Sequence, residues 1–284
     1  MIPAAFAYER PGSLGEAIGL LAEHGDDAKA LAGGQSLIPL LKLRLAAPEL
    51  VVDLGDLAQA DGLAGVRDQG DHLAIGALTR HAALAGDPLA AQHTPLLADA
   101  ASQVGDPQVR HFGTLGGSLA HADPAADLPA VLLAYEATMV ARGPHGQREL
   151  PVAEFLTGFL ETALQPDELV VEIRVPKLGP GIGWSFRKFT RRAIDWATVG
   201  VAVLRGPGLE RVALVNMGPT PLRAAAVEEA LLAGAAVHEA AEAATEGTEP
   251  TSDAWASAWY RRRLAPVLVR RALEEAATRS DATR

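Results

Sequence analysis

The sequence predicts an α+β protein in two parts. A first region, opening with a small α/β subdomain, occupies residues 1–177, and a C-terminal α+β domain with a three-stranded sheet and helices occupies 178–284. Three observations carry this expectation. Near the start, two short apolar runs flank a helical turn, the order of a small α/β unit. At 177–183, "KLGPGIG" is rich in glycine and proline and reads as the strongest linker in the chain. Beyond it, three strand-like segments precede three helical ones.

Taken in order, "SLGEAIGLLAEH" places Leu14, Ala17, Ile18 and Leu21 at helical spacing. Ser13 is a natural N-cap there, with Glu16 three residues on. "AKALAGG" and "LVVDLGDL" read as strands, and "SLIPLLKLRL" between them as a short helix with Pro39 near its start. "HLAIGAL" is a further strand, followed by helical "TRHAALAGD" and "TPLLADAASQV". "LPAVLLAYEATMVAR" is helix to about Ala134 and then strand, and "ELVVEIRVP" is a strand closed by Pro176. After the linker, "GWSFRKF", "TVGVAVL" and "RVALVNMG" are strands. "LRAAAVEEALLAG", "VHEAAEAATEG" and "AWASAWYRRRLAPVLVRRALEEAATR" are helical.

Composition excludes several classes of function. A net charge of −10 argues against nucleic-acid binding, which calls for a basic face. Cysteine is absent, so no disulfide, thiolate metal site, cysteine nucleophile or cysteine-ligated iron–sulfur cluster resides in this chain. The histidines form no pair at metal-ligand spacing, and no metal is expected. No apolar run approaches the roughly 18 residues that cross a bilayer, and the first residues carry no export signal, which points to the cytoplasm. Arg261, Arg262, Arg263, Arg270 and Arg271 cluster near the end. A basic partner- or membrane-binding helix is one reading of them. A packed helix is the other, with Trp259, Leu264, Val267 and Leu268 facing the core and Glu274 and Glu275 offsetting charge.

Two stretches carry the chemistry. "ALAGGQSLIPLLKLR" and "GTLGGSLAHADPAAD" each set an apolar residue before Gly-Gly and a small polar residue. Glycine removes the Cβ and permits positive φ, so successive N–H groups can converge on an anion. Ser36 and Thr114 add hydroxyls, and two such loops suit a pyrophosphate. Neither matches a simple phosphate fingerprint, and an ordinary tight turn remains the alternative for each.

These stretches, as "LAGGQSLIPLLKLRLAAPELVVDLGDL" and "GDPQVRHFGTLGGSLAHADPAADLPAVLLA", resemble the FAD-binding medium subunit of molybdenum hydroxylases. That family includes the carbon monoxide dehydrogenase medium subunit and the xanthine dehydrogenase flavin domain. The likeness runs from "FAYERPGSLGEAIGLLAEHG" to "SAWYRRRLAPVLVRRALEEA". It implies a PCMH-type FAD-binding domain of two subdomains, with FAD as cofactor. Ala32, Gly33, Gly34, Gln35 and Ser36 would wrap the pyrophosphate from one side, and Thr114, Leu115, Gly116, Gly117 and Ser118 from the other.

By the same resemblance Asp127 lies near the ribose and adenosine end, the alternative being a helix N-cap. His121 and Asp123 would contact that end or act as turn residues. Val104 and Trp196 would flank the isoalloxazine ring, although a tryptophan beside a strand also suits a core. Lys188 would bring positive charge to the reduced flavin, or lie unpaired at the surface. Gln35 and Ser118 stand where some relatives carry histidine and asparagine, which weakens carbon monoxide as the substrate and leaves FAD binding intact.

No catalytic side chain is expected, because the cofactor carries the chemistry. The resemblance implies partners: a large subunit with a molybdenum cofactor and a small subunit with two [2Fe-2S] clusters, as a dimer of heterotrimers. The FAD would pass electrons to quinone, NAD or oxygen. A stand-alone FAD-dependent oxidoreductase on the same fold is the alternative.

Overall fold

The computed structural model describes residues 2–282. The first unit is a parallel three-stranded sheet with Leu50–Asp53 in the centre, between Ala7–Glu9 and Ala28–Leu31. Leu50, Val51 and Val52 are buried, as a central parallel strand requires. Helix Leu14–His24 buries Leu14, Ala17, Ile18 and Leu21, the residues at helical spacing. Ser13 caps it, its side chain accepting from the Glu16 N–H, and Gly25 ends it at φ +53. The edge strand Ala7–Glu9 has only three residues, all exposed, so no apolar pattern marks it.

The second unit is a five-stranded antiparallel sheet in the order Val66–Asp68, His72–Gly76, Leu169–Pro176, Thr138–Gly143, Gly146–Pro151. Its central strand alternates buried and half-buried residues until Pro176 ends it. Short helices pack around this sheet, among them Pro95–Ser102, Pro107–Phe112, Leu115–His121 and Asp127–Tyr135. Asp106 caps the second of these, accepting from Val109 N at 2.8 Å with Pro107 in the first turn. The second glycine stretch, expected as a loop, is the opening turn of the third, with Thr114 as its cap. Helix Asp127–Tyr135 is buried at every position, so its sequence shows no amphipathic stripe.

The C-terminal sheet has three long strands, Gly183–Phe189, Val199–Gly206 and Leu209–Val215, and a two-residue edge at Leu222–Arg223. Both faces are covered. Val201, Val203, Val212 and Leu214 pack on the helices Ala225–Leu232, Val237–Glu242 and Ala258–Ala282. Ala202, Leu204, Ala213 and Val215 join the core that contains Leu128 and Leu132. Two-sided burial explains why "VGVAVL" lacks alternation.

The long C-terminal helix departs from expectation. Its buried stripe is Ala265, Leu268, Val269, Ala272, Leu273 and Ala276, a clean i, i+3, i+4, i+7 progression. Trp259 and Val267 lie off that stripe and are exposed, and Leu264 is half-buried. Arg261, expected in a solvated cluster, sits on the stripe and is 1% exposed. Its guanidinium donates to the carbonyls of Thr198 and Thr251 and pairs with Asp253. Among the described residues no helix is long and apolar enough to cross a membrane.

Candidate functional site

The two glycine stretches meet. A Cβ on Gly33 would lie 2.2 Å from the Phe112 carbonyl oxygen and 2.7 Å from Gly113 Cα. One on Gly116 would lie 2.8 Å from the Ala77 carbonyl oxygen. Glycine at these two positions lets main chain pack on main chain. Gly34 meets a different need, since its φ is +71. Close main-chain packing therefore requires glycine at Gly33 and Gly116 whether or not a ligand binds between the stretches.

Between these stretches opens a cleft of about 630 Å³, within the range of small-molecule sites. Ala32, Gly33, Gly34, Gln35 and Ser36 line it, with Val104, Thr114, Gly116, Gly117, Ser118, His121, Asp127, Lys188 and Trp196. Leu115 does not; it is fully buried in the core. Asp123 does not either, and its carboxylate accepts from the Ala125 N–H at 2.8 Å as a turn residue.

Donors differ sharply between the two stretches. Among the described residues, the N–H groups of Gly33, Gly34, Gln35, Ser36 and Leu37 make no protein hydrogen bond, whereas Ile38 N donates to Gly34 O at 3.0 Å. Successive uncommitted amides at a left-handed turn form an anion-binding concavity. In the second stretch Leu115 N donates to Thr79 O at 2.9 Å and Gly116 N to Ala77 O at 2.8 Å. Gly117 N is held by Thr114 Oγ1 at 3.2 Å and Ser118 N by Thr114 O at 3.0 Å. What the second stretch can offer the cleft is therefore hydroxyl chemistry from Thr114 and Ser118, because its amides hold the fold.

Asp127 and Lys188 come from different parts of the chain and pair. Lys188 Nζ lies 2.8 Å from Asp127 Oδ2 and donates to the Gln103 carbonyl at 2.9 Å, and both side chains are less than a tenth exposed. Lys188 is neither an unpaired surface lysine nor a free positive charge. Asp127 is the first residue of its helix and makes no cap bond. Burial pushes its carboxyl up to about 6, against the pull of Lys188. Among the described residues its Oδ1 is buried with no partner, a polar atom that calls for a donor.

His81, Ile194, Asp195 and Leu160 also line the cleft and escaped the sequence reading. His81 is buried, and burial together with Arg110 lowers its pKa to about 4, so the ring is neutral near pH 7. A lone histidine in an apolar helix start gives no signal for this. Leu160, 44% exposed, holds φ +58 in the turn between Leu156–Gly158 and Glu161–Thr162. Such a conformation is rare for a bulky residue, and nothing in composition marks it. Asp195 pairs with Arg192 at 2.9 Å in the turn that carries Trp196, which is 59% exposed.

Known proteins share the sequence and fold of this chain. The family model for the FAD binding domain in molybdopterin dehydrogenase matches residues 4–178, and that for the CO dehydrogenase flavoprotein C-terminal domain matches residues 184–276. The carbon monoxide dehydrogenase medium chain of Hydrogenophaga pseudoflava is 42% identical over 285 residues, covering 97% of this chain and 98% of the relative. The 6-hydroxypseudooxynicotine dehydrogenase complex subunit alpha of Paenarthrobacter nicotinovorans is 40% identical, over 100% of this chain and 98% of its own. A solved carbon monoxide dehydrogenase from Hydrogenophaga pseudoflava, lacking the Mo-pyranopterin moiety, superposes with TM-score 0.94. It is 44% identical and covers 98% of this chain and 99% of its own. An uncommitted amide row, a cleft shared by two units and full-length similarity converge on one conclusion: the chain belongs to the FAD-binding medium-subunit family of the molybdenum hydroxylases, whose members are oxidoreductase flavoproteins.

Proposed function

We propose that this chain is the electron-accepting FAD subunit of a molybdenum hydroxylase, taking electrons from partner subunits and passing them to an external acceptor in the cytoplasm. The observation that carries the reading is the row of five uncommitted amides from Gly33 to Leu37 along the cleft. Those amides and the Ser36 hydroxyl hold the pyrophosphate, with the Thr114 and Ser118 hydroxyls facing it from the second stretch. Asp127 Oδ1 accepts from a cofactor hydroxyl and so gains the partner it lacks. Lys188 keeps that carboxylate in place. Trp196 restricts access at the mouth. Bound FAD supplies redox chemistry that no side chain of this protein offers. In this reading residues 1–177 form the FAD-binding unit, divided near 55–60, and residues 178–284 complete the cleft.

The absence of cysteine means that iron–sulfur clusters feeding the flavin reside on another chain. A large molybdenum subunit and a small [2Fe-2S] subunit, in a doubled heterotrimer, are the partners this requires. Purification of the tagged chain from its native host, with an absorption spectrum and metal analysis, tests the proposal. Flavin, molybdenum and iron in one complex are expected. Flavin alone on an isolated chain overturns the subunit role, and a chain without flavin overturns the cleft assignment.

A further inference from the structure

Asn216 follows the strand Leu209–Val215 in the left-handed region, at φ +61, a conformation asparagine tolerates better than most residues. It does not line the cleft, yet its two donors reach segments that do. The backbone N–H donates to the Pro124 carbonyl at 2.8 Å, three residues before Asp127. The side-chain Nδ2 donates to the Ala197 carbonyl at 2.8 Å, directly after Trp196. Ala197 is itself buried.

The turn bearing Trp196 is otherwise tied down unevenly. On its far side Arg261 donates to the Thr198 carbonyl at 2.6 Å. On its near side the polar contacts are local: Asp195 N to Arg192 O at 3.0 Å and the Arg192–Asp195 pair. Trp196 is therefore oriented from the residues that follow it. Thr198 N also donates to the Phe189 carbonyl at 2.8 Å; of these three tethers, Asn216 alone also bonds the segment leading to Asp127.

We propose that Asn216 is a positioning residue: by holding the Ala197 and Pro124 carbonyls together, it fixes Trp196 relative to the Asp127–Lys188 pair. The inference rests on the reading that the cleft holds FAD, and extends it to a residue that touches no ligand. A left-handed backbone alone does not explain asparagine here, because glycine would adopt it freely. The amide adds a donor for a buried carbonyl.

The full chain loaded with FAD tests this by its visible circular dichroism and flavin fluorescence yield. Asn216→Gly keeps the left-handed backbone and the bond to Pro124, and removes the side chain and with it the Nδ2 donor. Its FAD affinity stays within about threefold of the native protein, because the amide row is untouched. Its flavin circular dichroism shifts in the direction of Trp196→Phe, and adding Trp196→Phe to it changes nothing more. Asn216→Asp, which keeps the shape but cannot donate to Ala197, reproduces the shift and covers the case in which the glycine variant folds poorly. A flavin signature identical to the native one in both Asn216 variants, while Trp196→Phe alters it, overturns the proposal. So does a Trp196→Phe protein with unchanged signature. A native chain that takes up no FAD is a separate result and overturns the reading of the cleft.

Discussion

Gly33→Ala is the sharpest test of how the two stretches make one site. The added Cβ would fall 2.2 Å from the Phe112 carbonyl oxygen and 2.7 Å from Gly113 Cα. Both are main-chain atoms, so no rotamer change relieves the clash. The first loop must retreat by about 1 Å, at an overpacking cost of about 1–3 kcal/mol. That movement carries the amides of residues 33–37 out of register with the pyrophosphate proposed to bind there. Losing one charge-assisted hydrogen bond costs about 1.5–3 kcal/mol, or at least tenfold in affinity. Gly117→Ala is the control, because its Cβ would meet the Thr114 hydroxyl at 2.7 Å, a side-chain end that can turn away. It should forfeit the cap, about 1 kcal/mol, and at most the one ligand contact that the Thr114 hydroxyl offers, with the amide row of the first loop left in place. Flavin fluorescence titration and urea unfolding of the ligand-free chain read the two effects separately. A Gly33→Ala protein with native affinity and native stability would refute the argument.

Three further outcomes follow from the charges. In the native protein Asp127 binds its proton more tightly folded than unfolded, so its contribution to stability falls as pH rises from the ordinary carboxylate range through about 6, and is flat above. Lys188→Met removes the group that opposes this shift. Urea unfolding should find the variant about 3–5 kcal/mol less stable at pH 8, with a smaller deficit at pH 5 where the carboxyl is protonated; an equal deficit at both values sinks the pairing argument. His81 works in the other direction, because its folded pKa of about 4 lies below its ordinary 6.5. Stability conferred by the neutral ring is lost as pH falls between those values, by up to about 3 kcal/mol. His81→Asn should therefore lose less stability than the native protein between pH 7 and pH 4. An unchanged pH profile would mean that His81 is not buried neutral.

Much of the architecture could be read from local pattern, and the exceptions share a cause. The Leu14–His24 helix and the strands Leu169–Pro176 and Gly183–Phe189 announce themselves by periodicity or by bounding Gly and Pro. Ala7–Glu9 and Val66–Asp68 have too few residues to show a period. Helix Pro107–Phe112 was missed although Asp106-Pro107 is a helix-start signal. In the site, the glycine pairs stand out from the residues alone as anion-binding loops or ordinary turns, whereas Asp127, Lys188 and Trp196 are marked only by resemblance, their residue types alone allowing cap, surface and core positions. The pairing of Asp127 with Lys188 could not be foreseen, because it depends on how one unit docks on the other. Nor could the unequal use of the amides, since Ala77 and Thr79, which claim those of Leu115 and Gly116, belong to a distant segment.

The strand order sets a timetable for maturation. Leu169–Pro176 lies between His72–Gly76 and Thr138–Gly143, so the five-stranded sheet cannot close until it leaves the ribosome. Lys188 and Trp196 emerge later still, roughly 150 residues after Gly33, a delay on the order of 10 s at typical synthesis rates. The nascent chain thus exposes the uncommitted amides of residues 33–37, proposed to hold the pyrophosphate, well before the groups that enclose them. Cofactor capture is accordingly a late event, and translation arrested before residue 188 should yield a ribosome-bound chain that does not retain flavin.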